Sequence, residues 1–262
     1  MRQKCVFFDI DGTIYNFADG VTPSAREAIR KLRENGHLAF LCTGRSPAHI
    51  PRDVLEIGFD GVIGLGGAYI EYRGEEIVSR LIPDEEAKAI VRHFYEEMGM
   101  YPILEGPVYV YADREELKEE RVLTYELYAD ILGDRMRPFR SEHYEAAKIT
   151  ICYRNRGYHP EDFACLAEKY EVHPNRYGAV EITPKNCSKA GAIETLLTYL
   201  GKTREDTYAF GDDNNDLEML GYTRFGVAMG NANPEVRETA RYHTASVTED
   251  GVADALKNFK LI

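Results

Sequence analysis

Hydrophobic positions fall along this chain in two rhythms. Cys5-Val6-Phe7-Phe8 is a continuous apolar run of strand length, ended by Asp9. Thr22 and Pro23 then open a helix that places Ala25, Ala28, Ile29 and Leu32 on one face, and Gly36 closes it. A second apolar run, Leu38 to Cys42, follows at once. Strand, helix, strand is the unit from which parallel sheets with right-handed crossovers are built. The same grammar returns near the end, where Ile193, Leu196, Leu197 and Leu200 share a helical face before strands at Thr207 to Phe210 and Arg224 to Met229.

From about Leu81 to Asn186 the rhythm changes. One helix carries Ala87, Ile90, Val91 and Phe94 on a face, and short runs pair up as Tyr101 to Leu104 with Val108 to Tyr111 and Lys148 to Tyr153 with Ala179 to Thr183. The expected architecture is therefore α/β. A Rossmann-like, three-layer parallel-sheet core over 1–80 and 187–262 is interrupted by an inserted α+β domain over 81–186.

Composition narrows the function. The 262 residues are 44% hydrophobic and 29% charged, enough for a sizeable core in one large or two smaller domains. The apolar run at Cys5 is too short for a signal peptide or a membrane span, which gives a cytoplasmic expectation. Five cysteines without a Cys-x-x-Cys pair read as reduced, mostly buried thiols. A formal net charge of -12 without a basic stripe argues against nucleic acid or an anionic membrane as partner. The seven histidines form no close pair, so a histidine zinc site is not expected. A small molecule is the expected partner, and if it carries phosphate an acidic protein needs a local cation to hold it.

Four short motifs supply that chemistry. Asp9-Ile10-Asp11-Gly12-Thr13 follows the first strand, with two carboxylates spaced to converge, Gly12 to turn the chain and Thr13 to begin a cap. Thr43-Gly44-Arg45 follows the second strand and offers a hydroxyl and loop amides; Ser188-Lys189 opens a helix with an ammonium. Gly211-Asp212-Asp213-Asn214-Asn215-Asp216 follows the strand ending at Phe210, where open parallel sheets place their ligands. Like charges so gathered repel unless a cation joins them, and an oxygen-only ligand set of few members suits Mg²⁺. Each motif has a plainer reading by itself: a turn at Asp9, a loop at Thr43, a solvated lysine at 189, helix caps at Asp213, Asn214 and Asp216. Their common placement at strand C-terminal ends and helix N-termini favours a single site.

Together these residues resemble the signature of the haloacid dehalogenase superfamily of phosphatases. Gly226-Val227-Ala228-Met229-Gly230-Asn231-Ala232 and Glu249-Asp250-Gly251-Val252-Ala253 are similar to its Cof-type sugar-phosphatase branch, and the insertion resembles that branch's type-two cap, subclass IIB. One departure is Gly66-Gly67-Ala68, where relatives commonly carry Asn-Gly-Ala. The resemblance implies a phosphoric monoester hydrolase in which Asp9 attacks phosphorus and Asp11 acts as acid and then base. It implies Mg²⁺ on Asp9, on the Asp11 carbonyl and on Asp212; phosphoryl contacts from Gly12, Thr43, Gly44, Lys189 and Asn215; and orienting roles for Asp213 and Asp216. Substrate choice would lie in the cap, where most of the 18 tyrosines fall, either as a hydroxyl-rich entrance for a sugar or as half-buried core. The alternatives are a sugar-phosphate phosphotransferase or mutase, and a non-catalytic phosphate-sensing regulator. A monomer or homodimer is expected.

Overall fold

The structure, a computed structural model, describes residues 2–119, 131–153, 156–175 and 178–262. These divide into two compact units, one of 1–44, 51–77 and 188–262, the other of 45–50 and 78–187.

The first unit is built on strands β1 (Cys5–Phe8), β2 (Leu38–Cys42), β3 (Gly61–Gly64), β4 (Tyr69–Tyr72) and β5 (Glu75–Ser79), joined late in the chain by β6 (Thr207–Gly211), β7 (Phe225–Ala228) and β8 (Tyr242–His243). They form one sheet in the order β8-β7-β6-β1-β2-β3-β4-β5. The first six strands in that order run parallel, and β4 turns back antiparallel on β3. The central strands β1, β2 and β6 are buried along their whole length, which is why they read as unbroken apolar runs rather than alternating ones.

Local signals set the helices. In α1 (Pro23–Glu34) the Thr22 hydroxyl accepts from the Ala25 amide, Pro23 sits in the first turn, and Ala25, Ala28, Ile29 and Leu32 are buried. It packs on α4 (Gly251–Asn258). On α2 (Lys189–Tyr199), Ser188 caps the Gly191 amide at 3.1 Å, a contact worth about 1 kcal/mol. Its buried face is Lys189, Ala192, Ile193, Leu196 and Leu197, so the one lysine lies on the apolar side. This helix packs on α3 (Leu217–Tyr222). The core is thus a Rossmann-like α/β sheet with its helices in two groups.

The inserted unit, a cap, carries a six-stranded sheet in the order 136–137, 110–111, 101–105, 148–152, 179–184, 170–174. The pairs read from sequence are present: Tyr101–Glu105 is antiparallel to Val110–Tyr111, and Lys148–Cys152 to Ala179–Pro184. The amphipathic helix runs as α-helix over Asp84–Val91 and continues as a π-helical turn over Arg92–Glu97. That wider turn still buries Phe94, which stacks on Phe163 at 5.2 Å. Residues 45–50, placed with the core from sequence, join this unit instead. Ala48 belongs to its hydrophobic cluster, and the Ser46 hydroxyl donates to the Gly106 carbonyl. Tyr101, Tyr111, Tyr144 and Tyr170 are buried in that cluster rather than displayed; Tyr125, Tyr128 and Tyr177 lie outside the described residues. Cys5, Cys42 and Cys152 are buried, Cys187 is half-buried, and Cys165 is exposed. No described helix is long and apolar enough to cross a membrane.

The cap also buries charge. The Glu105 carboxylate accepts from the Lys148 ammonium at 2.9 Å and from the Thr150 hydroxyl at 3.0 Å. His49 lies beside it, 4.0 Å from Glu105, and burial, reinforced by the charges of Arg45 and Lys148, holds its imidazole well below the ordinary value of 6.5. Below that pH the unfolded chain takes up a proton that folded His49 excludes. The stability contributed by neutral His49 is therefore full above pH 6.5 and lost as pH falls toward the folded value, at about 1.4 kcal/mol per pH unit. In urea titrations between pH 8 and 5, the stability advantage of wild type over His49→Gln is expected to shrink below pH 6.5; a constant difference would show that the ring takes up its proton normally.

Candidate active site

Four loops meet at the C-terminal edge of β1, β2 and β6. The chain leaves strand geometry at Asp9, whose amide still donates to the Phe210 carbonyl at 3.0 Å. It then turns tightly, with the amides of Thr13, Ile14 and Tyr15 all donating to the Ile10 carbonyl. Asp11 is thus placed by a turn and a bridge to Tyr15, not by the alternation of a strand, and its charge is felt at Asp9. Thr13 does not begin a helix. Its hydroxyl donates to Asp212 Oδ1 at 3.2 Å, across 199 residues of sequence.

Two of the three glycines in these motifs are there for space. A Cβ on Gly12, at φ +76°, would fall 2.2 Å from a carboxylate oxygen of Asp212, and one on Gly211 would fall 2.5 Å from the Asp216 carboxyl carbon. Gly12→Ala is expected to destabilise the protein by about 1–3 kcal/mol and to lower hydrolysis by at least about tenfold through displacement of Asp212. Thermal unfolding with steady-state kinetics checks this, and unchanged kinetics would show that the approach is not needed.

Lys189 lies between two buried carboxylates, its Nζ 2.7 Å from Asp9 Oδ1 and 2.6 Å from Asp216 Oδ1. Asp216 uses its other oxygen on the amides of Asp212 and Asp213, at 2.9 and 3.2 Å, and with Asp213 completes a capping box around Asn214–Asp216. Asp216 is thus fully engaged in holding Lys189 and the loop. Thr43, buried, and Gly44 follow β2 at the same edge, and the Cα of Gly44 faces Asn215, whose Nδ2 would lie 3.5 Å from an added Cβ.

Two asparagines complete the site, Asn231, which the sequence places in a motif without a role, and Asn233. Asn231 donates from Nδ2 to the Gly12 carbonyl at 2.8 Å and to Asp212 Oδ2 at 3.3 Å, while its Oδ1 accepts the Val247 amide. Asn233 donates to Asp213 Oδ1 and Asn214 Oδ1 at 3.0 and 2.8 Å and caps the helix Pro234–Thr239. The Asn-Pro start signal at 233–234 was legible; the reach back to Asp213 was not. The glycine loop 65–67 also has a task. Gly67, at φ +104°, packs its Cα against the backbone of Ser188, where a Cβ would meet the carbonyl at 2.3 Å. Gly66, at φ +65°, has open space around it, a setting that asparagine also tolerates.

Single oxygens of Asp9, Asp212 and Asp216 lie within 4.8 Å of one another, against one ammonium. Burial, then the neighbouring Asp216, raises the Asp212 carboxyl to about 7, and the same two causes raise Asp9 well above its usual value. Burial alone would lower the Lys189 ammonium, but Asp216 and Asp9 outweigh it and hold the group charged. Fully ionised, three carboxylates against one lysine would leave two negative charges unbalanced in a buried site, which is why Asp9 and Asp212 hold their protons more tightly. A divalent cation of oxygen preference fits that deficit, and with Asp216 engaged elsewhere the carboxylates left to it are those of Asp9 and Asp212.

A family model described as haloacid dehalogenase-like hydrolase matches residues 6–256. The chain is 29% identical over 266 residues to a Bacillus subtilis (strain 168) protein named "Putative phosphatase YkrA", with all of both chains covered. It is 26% identical over 259 residues to the phosphoglycolate phosphatase of Methanothermobacter thermautotrophicus, covering 98% of this chain and 99% of the other. Among solved structures, a sugar phosphatase of haloacid dehalogenase subclass IIB superposes with a TM-score of 0.79 at 30% identity, over 99% of this chain and all of its own. Likeness of this extent, over core and insertion alike, identifies the chain as a phosphatase that belongs to the haloacid dehalogenase-like hydrolases, in their Cof-type branch.

Proposed function

We propose that this phosphatase hydrolyses small phosphorylated metabolites, sugar phosphates foremost, through an aspartyl-phosphate on Asp9. The observation that supports the reading best is the buried group at Asp9: a carboxylate fixed by Lys189 at 2.7 Å, with Asp212 beside it and Asp11 one turn on. An Asp9 carboxylate oxygen attacks phosphorus, and the bond to the ester oxygen breaks as Asp11 delivers a proton to it. Water then attacks the phosphoryl group, Asp11 takes its proton, and the bond from phosphorus to Asp9 breaks to release inorganic phosphate. Lys189, Thr43, Asn215 and the amides of Gly12 and Gly44 hold the phosphoryl oxygens where charge gathers. Mg²⁺, held by Asp9, Asp212 and the Asp11 carbonyl, supplies charge neutralisation to the phosphoryl group when bound. Asp213 and Asp216 orient the loop and Lys189.

Choice among esters is assigned to the inserted residues 81–186, and the protein is read as cytoplasmic, a monomer or homodimer. Phosphate release from a panel of sugar, nucleotide and cofactor phosphates tests the proposal. Turnover is expected with Mg²⁺, is expected to fall to background in excess chelator, and needs no acceptor sugar. Transfer that depends on an acceptor sugar would point to a phosphotransferase, and absence of turnover with tight ligand binding would point to a sensor.

A further inference from the structure

The opposite edge of the core sheet holds a second feature. Around the N-terminal ends of β6, β7 and β8 lies a cavity of about 360 Å³ lined by Arg204, Glu205, Arg224, Thr239 and Arg241 together with residues at the C-terminal end of α3. Three arginines and a single glutamate are among its lining residues, in a chain whose net charge is -12. Arg204 donates to the Gly221 carbonyl at 2.9 Å, which neutralises the negative end of α3, and lies over the Tyr222 ring. Arg224 pairs with Glu205 at 3.2 Å and lies over the Phe225 ring. Among the described residues Arg241 makes no hydrogen bond or ion pair.

Stacking and capping fix two guanidinium planes without using all their donors, since each carries five N–H groups in a rigid fork suited to phosphate oxygens. The third is unengaged. A local excess of two positive charges matches a dianion, and the volume suits a small phosphate compound. The five residues of β6 separate this cavity from Asp212, so it is a different place from the site at Asp9.

We propose that this arginine-lined cavity binds a small dianionic oxyanion, inorganic phosphate or the phosphoryl end of a metabolite. Calorimetric titration of inorganic phosphate into the metal-free full chain tests it, and the cavity variants separate binding here from binding at the site of Asp9. One site per chain is expected. The Arg224→Ala/Arg241→Ala double variant is expected to lose at least about tenfold in affinity, whereas Glu205→Gln, which removes the competing carboxylate, gains about threefold. Mg²⁺-supported hydrolysis of p-nitrophenyl phosphate stays unchanged in all variants. Phenylphosphonate that competes with phosphate assigns the cavity to the end of an ester, and failure to compete assigns it to free phosphate. No binding by wild type, or equal binding by the double variant, overturns the proposal.

Discussion

Metal-loaded Asp9→Asn protein is expected to hydrolyse phosphate esters at least about 10⁴-fold more slowly than wild type while remaining folded. The amide keeps the size of the carboxyl and removes its nucleophilic charge. Lys189 retains Asp216 at 2.6 Å, so no buried cation is orphaned. The fold is therefore expected to survive, with far-ultraviolet dichroism and cooperative unfolding close to wild type. What should vanish with turnover is most of the stabilisation that Mg²⁺ gives the wild-type protein, because binding to the native state alone raises stability by mass action. Near-normal hydrolysis by purified Asp9→Asn protein would end the assignment of Asp9 as nucleophile.

Lys189→Ala is expected to cost structure as well as activity. Lys189 is 3% exposed, and its ammonium joins two carboxylates that have no other cation within reach among the described residues. Removing one partner of a buried ion pair typically costs about 3–5 kcal/mol, since the remaining charges stay desolvated and now repel. The melting transition of the core should fall by on the order of 10 °C. A double variant, Lys189→Met with Asp216→Asn, restores charge balance between those two positions and should recover a clear part of the loss, with a coupling of about 1 kcal/mol or more. Additive effects would mean that the two side chains do not act as a pair. Hydrolysis should be lost in both cases.

Much of the site was legible because its chemistry sits at fixed places in the grammar of a parallel sheet. A strand that ends in Asp9, a second that ends before Thr43 and a third that ends at Gly211 put their loops on one edge once the strands are neighbours and parallel. The helix caps at Thr22 and Ser188 were equally local, since a hydroxyl just before the first helical turn can accept from a backbone amide of that turn.

Sequence by itself determined the strand and helix periods, the order of the motifs and the identity of the reactive groups, all of which depend on residues close along the chain. Only the tertiary structure decided the rest. Lys189 reads as a surface lysine in its own helix, and its burial follows from the approach of Asp9 and Asp216 from 180 and 27 residues away. Thr13 and Asn231 became supports of Asp212 because β1, β6 and β7 bring their loops side by side. Gly12 was readable as a turn former, yet what requires it, and Gly211 with it, is the close approach of Asp212 and Asp216. Segment 45–50 joined the inserted unit for a similar reason, the packing of Ala48 into its apolar cluster. Periodicity reports which face of an element is buried; it carries no information on which distant side chain arrives there.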